Sequence, residues 1–188
     1  MSREIDKYKE RNYTGRNARL LEEWSKIDKA FSNNKQVEYG VCRTNEVNLP
    51  IAYDIYFTIK SIIGVEQPDE QGLKKPIFGW KHELRITLPN NYPAKDGPPE
   101  FKFLTDVWHP NVTFFGDEKI KGRTCLTTEV YGAHVPLVDY IYRVIDYLKY
   151  ELYNASDNRG NHRPQDTEVA EWVLSQGEPQ GWLIFKQD

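Results

Sequence analysis

Residues 78–112 read FGWKHELRITLPNNYPAKDGPPEFKFLTDVWHPNV, and the fold of this chain is predicted from their pattern. Apolar or aromatic side chains occupy the even positions from Phe78 to Leu88, except at His82, and the odd positions are mostly polar. This alternation predicts a strand with one buried face. A segment with four prolines follows at 89–99, which excludes regular structure there. Phe101 and Phe103 then mark one face of another strand.

The segments that precede this stretch predict one helix and two further strands. The helix begins near Asn17 and shows apolar residues at helical spacing, namely Leu20, Trp24, Ile27 and Phe31. The strands alternate with period two, at Val37, Tyr39 and Val41 and then at Ile51, Tyr53, Ile55, Phe57 and Ile59. Four strands without intervening helices favour an antiparallel meander.

The segments that follow predict one irregular crossing and two helices. Residues 108–135 have no clean period, and a long irregular segment inside a compact domain is often functional. A helix is predicted from Ile141, Val144, Ile145, Leu148 and Leu152, with Asp139 as its N-cap. A second helix is predicted at 167–176, before Gly177. We therefore expect an α+β domain at 17–177, an N-terminal extension at 1–16 and a tail at 178–188.

The composition argues against several classes of function. The 188 residues include 25 basic and 28 acidic side chains, so neither nucleic acid nor an anionic membrane is the expected partner. No run of about 18 apolar residues occurs, and the first ten residues lack the apolar region of a signal peptide. Two cysteines cannot build a disulfide framework, which favours a reducing, cytoplasmic location. No histidine pair has ligand spacing, so no metal or other cofactor is expected.

Three motifs in order carry a resemblance to a known family. The first comprises the strand from Phe78 to Leu88 and the pairs Tyr92-Pro93 and Pro98-Pro99. The second is His109-Pro110-Asn111, and the third is Cys125-Leu126, followed by Pro136 and a helix. Together they resemble the ubiquitin-conjugating enzymes over residues 17–177. The tripeptide alone is weak evidence, whereas the ordered set at nearly matching spacing is strong.

The resemblance implies an acyl-carrier chemistry centred on Cys125. This thiol would receive a ubiquitin-like protein from an activating enzyme, hold it as a thioester and pass it to a lysine of a target protein. Asn111 would stabilise the oxyanion that develops during lysine attack, or would brace the loop. His109 would be a structural hydrogen-bonding residue. Alternatively, Cys125 is an ordinary buried cysteine. The glycine and the charged residues that precede it in the sequence favour the catalytic interpretation.

The resemblance also implies an acceptor site and a docking surface. In the family, an acidic residue past the second helix often receives the incoming lysine. Asp157 is the nearest match to that residue, and Asp117 and Glu118 are the alternatives. The activating enzyme would bind a basic face of the first helix. Alternatively, this face is exposed to solvent and has no partner. Its residues are Arg16, Arg19, Lys26 and Lys29.

Several departures from the family pattern point to a divergent member. Fourteen positions separate Asn111 from Cys125, and the excess residues, 114–121, are expected to form a small hairpin. The tryptophan that usually precedes the downstream proline is replaced by His134, and the ligase-anchoring position after Tyr-Pro holds Ala94. These changes suit a prokaryotic enzyme with its own ubiquitin-like protein, and antiviral defence is a hypothetical setting.

Two other functions stay open at this point. A non-catalytic scaffold of the same fold would bind the modifier without forming a covalent adduct. A cysteine hydrolase would need His109 or His134 beside the thiol of Cys125. Cys42, which lies among alternating strand residues, is expected to serve packing, and His82 is expected to be a core histidine.

Overall fold

The computed structural model describes residues 5–126, 134–156 and 164–187. Four strands form one antiparallel sheet in the order β1-β2-β3-β4, which is the predicted meander. The strands are β1 (Val37–Thr44), β2 (Pro50–Val65), β3 (Pro76–Thr87) and β4 (Glu100–Phe103). The helices are α1 (Asp6–Lys9), α2 (Gly15–Phe31), α3 (Leu137–Leu148) and α4 (Thr167–Trp172), and α4 continues as a π-helical turn, Val173–Gly177. The predicted α+β fold class is confirmed.

The register of the sheet explains the alternation in the sequence. Ile55 of β2 lies opposite Leu84 of β3, which in turn lies opposite Phe103 of β4, and all three side chains are buried. Successive side chains of a strand point to opposite faces, so these residues line a single apolar face. Helices α2 and α3 pack with this face in the main core. A second apolar cluster lies around α4, the tail and the distal part of β2.

Helix α3 begins earlier than predicted, and its first turn is capped from outside. Asp139 is wrong as the N-cap, because Pro136 holds that position and Asp139 lies within the first turn. The carboxylate of Glu23, which is 0 % exposed, accepts a hydrogen bond from the backbone N–H of Leu137 at 2.8 Å. Leu152 lies beyond the end of the helix and is exposed.

Glu23 is the main polar link inside the core. Its other oxygen accepts the hydroxyl of Tyr92 at 2.6 Å and forms an ion pair with Arg19 at 2.7 Å. A buried carboxylate is tolerated only when both oxygens have such partners. Glu23 therefore ties α2 to the proline-containing loop and to the start of α3.

The structure corrects the prediction for Cys42 and locates the tail. Cys42 is exposed, because it lies on the edge strand β1 on the face opposite the buried Val37. His82 is buried, as predicted, and its Nε2 lies 3.0 Å from the carbonyl of Ile59. Trp182 and Phe185, both in the predicted tail, pack in the second cluster. In the described part of the chain, no helix combines the length and apolarity needed to cross a membrane.

Candidate functional site

Cys125 and the His109-Pro110-Asn111 turn lie side by side in space. Val112 and Thr124 form an antiparallel bridge, and the N–H of Cys125 donates to the carbonyl of Asn111 at 3.0 Å. One backbone hydrogen bond therefore spans the fourteen sequence positions that separate the two residues. Cys125 is half-buried, so it is neither enclosed in the core nor fully exposed.

The extra residues 114–121 form the loop of a short antiparallel pair. The N–H of Thr113 donates to the carbonyl of Arg123 at 2.9 Å, and the N–H of Gly122 donates back to Thr113 at 2.8 Å. Gly122 has φ +81°, and a Cβ at this position would lie 2.0 Å from the carbonyl oxygen of Phe103. Only glycine fits this approach of the loop to the sheet. The small hairpin expected from the spacing is thus present.

Three acidic residues were considered as the group that receives the incoming lysine, and their surroundings differ. Asp157 lies outside the described residues. Asp117 uses its carboxylate within the hairpin, where it accepts from the N–H groups of Lys119 at 2.9 Å and Ile120 at 3.2 Å. Glu118 is exposed on the same turn. The carboxylate of Asp117 therefore stabilises its own turn, as aspartate commonly does.

His109 is fully enclosed, and both of its ring nitrogens have partners. Its Nδ1 accepts the N–H of Asn111 at 3.2 Å, and its Nε2 lies 3.1 Å from the carbonyl of Leu152. This pattern assigns the neutral tautomer with hydrogen on Nε2. Burial lowers the pKa of His109 to about 3, although the hydrogen bond to Leu152 raises it. The ring also stacks on Tyr147 with a centroid distance of 4.6 Å. Both ring nitrogens of His109 are thus engaged by backbone groups of the fold.

Asn111 is 4 % exposed and is oriented by the chain that follows α3. Its side-chain oxygen accepts the backbone N–H of Asn154 at 2.8 Å. This contact braces the loop, which is one of the two roles considered for Asn111. It also turns the side-chain NH2 group away from Asn154, since oxygen and nitrogen occupy opposite ends of the amide.

Two residues of α3 hold the backbone around Cys125. The hydroxyl of Tyr147 donates to the carbonyl of Cys125 at 3.0 Å, and Arg143 donates to the carbonyl of Leu126 at 2.5 Å. Burial raises the pKa of Tyr147 to about 12; Arg143 lowers it and a negative charge on Cys125 raises it further. The contact of Tyr147 with Cys125 was not predicted from the sequence. The helical spacing of Tyr147 from Val144 predicts burial, but no pattern predicts that its hydroxyl reaches Cys125.

The segment before α4 also reaches the site. The backbone N–H groups of Gln165 and Asp166 donate to the carbonyl of Pro110 at 2.7 and 3.1 Å. The side chain of Asp166 caps α4 by accepting the N–H of Val169 at 3.1 Å. Asp166 was not predicted as a cap, although an aspartate directly before a predicted helix is a recognised N-cap signal.

The four basic residues of the first helix are not equivalent. Arg16 donates to the carbonyl of Pro89 at 3.2 Å, and Arg19 is largely buried by its ion pair in the core. Lys26 pairs with a carboxylate one turn earlier, and Lys29 is exposed. Two of the four charges thus contribute to packing within the domain, and Lys26 and Lys29 present charge to solvent.

Comparisons with known proteins agree on one family. No family model matches the chain. It is 35 % identical over 82 residues to ubiquitin-conjugating enzyme E2 pex4 of Dictyostelium discoideum, covering 41 % of this chain and 49 % of that protein. It is 44 % identical over 50 residues to ubiquitin-conjugating enzyme E2 13 of Schizosaccharomyces pombe, covering 27 % and 28 %. The chain thus spans at most about half the length of these curated relatives.

The structural comparison extends over most of the chain. A solved structure described as a ubiquitin conjugating enzyme from Plasmodium yoelii matches with a TM-score of 0.56 and 21 % identity. The match covers 89 % of this chain and 90 % of the other. At this identity the likeness establishes the fold alone. The chain has the ubiquitin-conjugating fold, and its curated relatives are ubiquitin-conjugating enzymes, so the resemblance seen in the sequence is confirmed as that of a divergent relative.

Proposed function

We propose that this protein carries a ubiquitin-like protein as a thioester on Cys125, receives it from an activating enzyme, and transfers it to an amine of a target protein. The observation that supports the proposal is the pairing of Cys125 with the His109-Pro110-Asn111 turn, within a fold shared with conjugating enzymes. Cys125 is half-buried, and its backbone N–H is hydrogen-bonded to the carbonyl of the asparagine of the turn.

The loading step exchanges one thioester for another. The sulfur of Cys125 attacks the carbonyl carbon of the donor thioester, a new C–S bond forms, and the donor C–S bond breaks. The proton that Cys125 loses ends on the released donor thiol. Because one thioester replaces another, the reaction is nearly balanced in free energy, and the protein mainly supplies position. Backbone hydrogen bonds at both the N–H and the carbonyl of Cys125 hold the nucleophile for this purpose.

The discharge step forms an amide bond at the same carbonyl carbon. A lysine amine attacks, negative charge develops on the carbonyl oxygen, the C–S bond breaks, and Cys125 leaves as thiolate. The amine releases a proton to solvent. We assign the side-chain NH2 of Asn111 as the donor to that oxygen, because the contact with Asn154 fixes the opposite end of the amide. Asp157 is proposed as the group that orients the lysine.

The competing functions differ in what they require. A hydrolase needs an imidazole that accepts the proton of Cys125, but the two nitrogens of His109 are engaged by Asn111 and Leu152. His134 is exposed on the surface. A non-catalytic scaffold would leave the cysteine without a function. Transferase chemistry is therefore the function that the geometry supports best.

The partners follow from the same proposal. An activating enzyme would contact the helix face of Arg16, Arg19, Lys26 and Lys29. Within it Lys29 is exposed, and Lys26 is partly exposed and paired with Glu22. A cytoplasmic location and a prokaryotic, antiviral setting are proposed from the sequence divergence. Modification of targets by this protein through a eukaryotic ligase would overturn that setting.

The decisive experiment is intact-mass analysis of the protein isolated from its native host, with and without reductant. The wild-type protein is expected to carry an adduct that a thiol reductant removes. Cys125→Ser should retain a more stable ester adduct, Cys125→Ala should carry none, and Cys42→Ser should load like the wild type. An adduct that survives in Cys125→Ala would overturn the assignment of the carrier.

A second measurement tests the discharge step. Asn111→Ala is expected to load normally and to lose about a hundredfold or more in transfer to lysine, the range found when one oxyanion donor is removed. Wild-type discharge by this variant would exclude Asn111 as the donor.

A further inference from the structure

The segment before α4 is tied to the strand pair that carries Cys125. We propose that Asp166 is a positioning residue for transfer: its carboxylate holds the start of the hairpin 114–121 against the His109-Pro110-Asn111 turn, and so keeps Cys125 in register with Asn111. The inference rests on the proposed function and adds to it a residue distant in sequence from both motifs.

The two oxygens of Asp166 face different elements. Oδ1 accepts the N–H of Val169 at 3.1 Å and caps α4. Oδ2 accepts the N–H groups of Phe114 and Phe115 at 2.9 and 2.8 Å. Asp166 is only 6 % exposed, so its carboxylate meets these three donors in a largely water-excluded place. Hydrogen bonds to an ionised carboxylate are roughly twice as strong as those between neutral groups.

The backbone of the same segment holds the other side of the site. The N–H groups of Gln165 and Asp166 converge on the carbonyl of Pro110, which directly precedes Asn111. The side-chain amide of Gln165 donates to the hydroxyl of Thr113 at 3.0 Å. Two consecutive residues thus contact the turn that contains Asn111 and the strand that leads into the hairpin.

The first residues of the hairpin, Phe114 and Phe115, are therefore held in place. The rings of Phe114 and Phe115 pack on Trp108 with centroid distances of 4.8 and 5.6 Å, and Trp108 also contacts Trp172 of α4. From this base the chain returns through the pairing of Thr113 with Arg123, two residues before Cys125. A shift at the base of the hairpin is transmitted by that pairing to the nucleophile.

Capping alone would be a different role for Asp166, and a substitution separates the two. Serine is a good N-cap, so Asp166→Ser keeps an acceptor for Val169, but its shorter side chain does not reach Phe114 and Phe115. Asn45→Ala is the matched control. The Asn45 side chain accepts two backbone N–H groups, at 3.2 and 2.9 Å, in the turn between β1 and β2, and donates to the side chain of Asn17 at 3.0 Å. Its loss therefore removes at least as many hydrogen bonds as Asp166→Ser.

The experiment measures backbone amide exchange together with single-turnover discharge of the thioester to free lysine. For Asp166→Ser, we expect faster exchange at Phe114, Phe115 and Cys125, with Val169 still protected. Loading should be unchanged, the apparent KM for lysine unchanged, and the maximal discharge rate lowered about tenfold, because a small misplacement of reacting groups is costly. Asn45→Ala should discharge at the wild-type rate.

Three results would overturn the inference. These are a wild-type discharge rate in Asp166→Ser, unchanged exchange at Cys125, or an equal loss in Asn45→Ala. If Asp166→Ser does not fold, Asp166→Asn is measured in its place, because it leaves one oxygen for two sets of donors and should show the same pattern to a smaller degree. Absence of any thioester in the wild type would refute the proposed function, whereas the exchange pattern tests the tether independently.

Discussion

Acidification should destabilise this protein through His109, and the size of the effect follows from the enclosure of its ring. In the folded chain the pKa of His109 is about 3, against an ordinary value of 6.5. Between these values the unfolded chain binds a proton that the folded chain excludes. The contribution of neutral His109 to stability is therefore fully present above pH 6.5 and declines as the pH falls toward 3.

At pH 5 the difference amounts to about 2 kcal/mol, since the unfolded pKa lies about 1.5 units above that pH and each unit corresponds to about 1.4 kcal/mol. The assay is urea unfolding followed by tryptophan fluorescence at pH 7.5, 6 and 5, for the wild type and for His109→Gln. Burial also lowers the pKa of His82, but His82 and the carboxylates are common to both proteins and cancel in the comparison.

We expect the wild type to lose about 2 kcal/mol more than His109→Gln between pH 7.5 and pH 5. Equal losses in the two proteins would refute the reasoning. Should His109→Gln fail to fold, the ring proton signals of His109 in the wild type provide the same test. They should not titrate above pH 4, and a titration near pH 6 would contradict the enclosure of the imidazole.

Three substitutions give further tests. Tyr147→Phe keeps the ring stacked on His109 but leaves the carbonyl of Cys125 without its hydroxyl donor, so we expect a loss of about 1 kcal/mol in urea unfolding and slower thioester discharge. Glu23→Gln removes the charge that faces Arg19 in the core, and unfolding should become easier by about 2–4 kcal/mol; a change below about 0.5 kcal/mol would argue against this ion pair. Gly122→Ala places a methyl group 2.0 Å from a carbonyl oxygen, so a loss of about 2–4 kcal/mol is expected, and an unchanged unfolding midpoint would show that the loop approaches the sheet differently.

The sheet and the two long helices were predictable because each depends on local periodicity. The alternation of residues 78–88 and the helical spacing from Leu20 to Phe31 both report a single buried face, and the structure has β3 and α2 there. The site motifs were recognisable for a related reason, since their order along the chain is that of a known family. The placement of Cys125 next to Asn111 agrees with that order.

The errors and omissions concern contacts between segments far apart in sequence. Asp139 was expected to cap α3 because it lies near the start of the apolar pattern, yet the N–H of Leu137 is satisfied by Glu23, more than one hundred positions earlier. Cys42 was expected to be packed, but it lies on the outer face of an edge strand and is exposed. The contact of Glu23 with Leu137 has no signature in the residues next to either of them.

By itself, the sequence determined the order of the elements, which faces are apolar, and which thiol and asparagine are candidates for chemistry. The spacing of apolar residues carries the first two kinds of information, because burial of one face is the main local requirement for a strand or a helix. The thiol and the asparagine follow from the resemblance to a known family. Only the tertiary structure decided how the candidates are held. His109 lies neutral between two backbone groups, Tyr147 donates to the carbonyl of Cys125, and Asp166 accepts from the first residues of the hairpin. Such hydrogen bonds join groups up to 52 positions apart, and their geometry exists only after the helices have packed on the sheet.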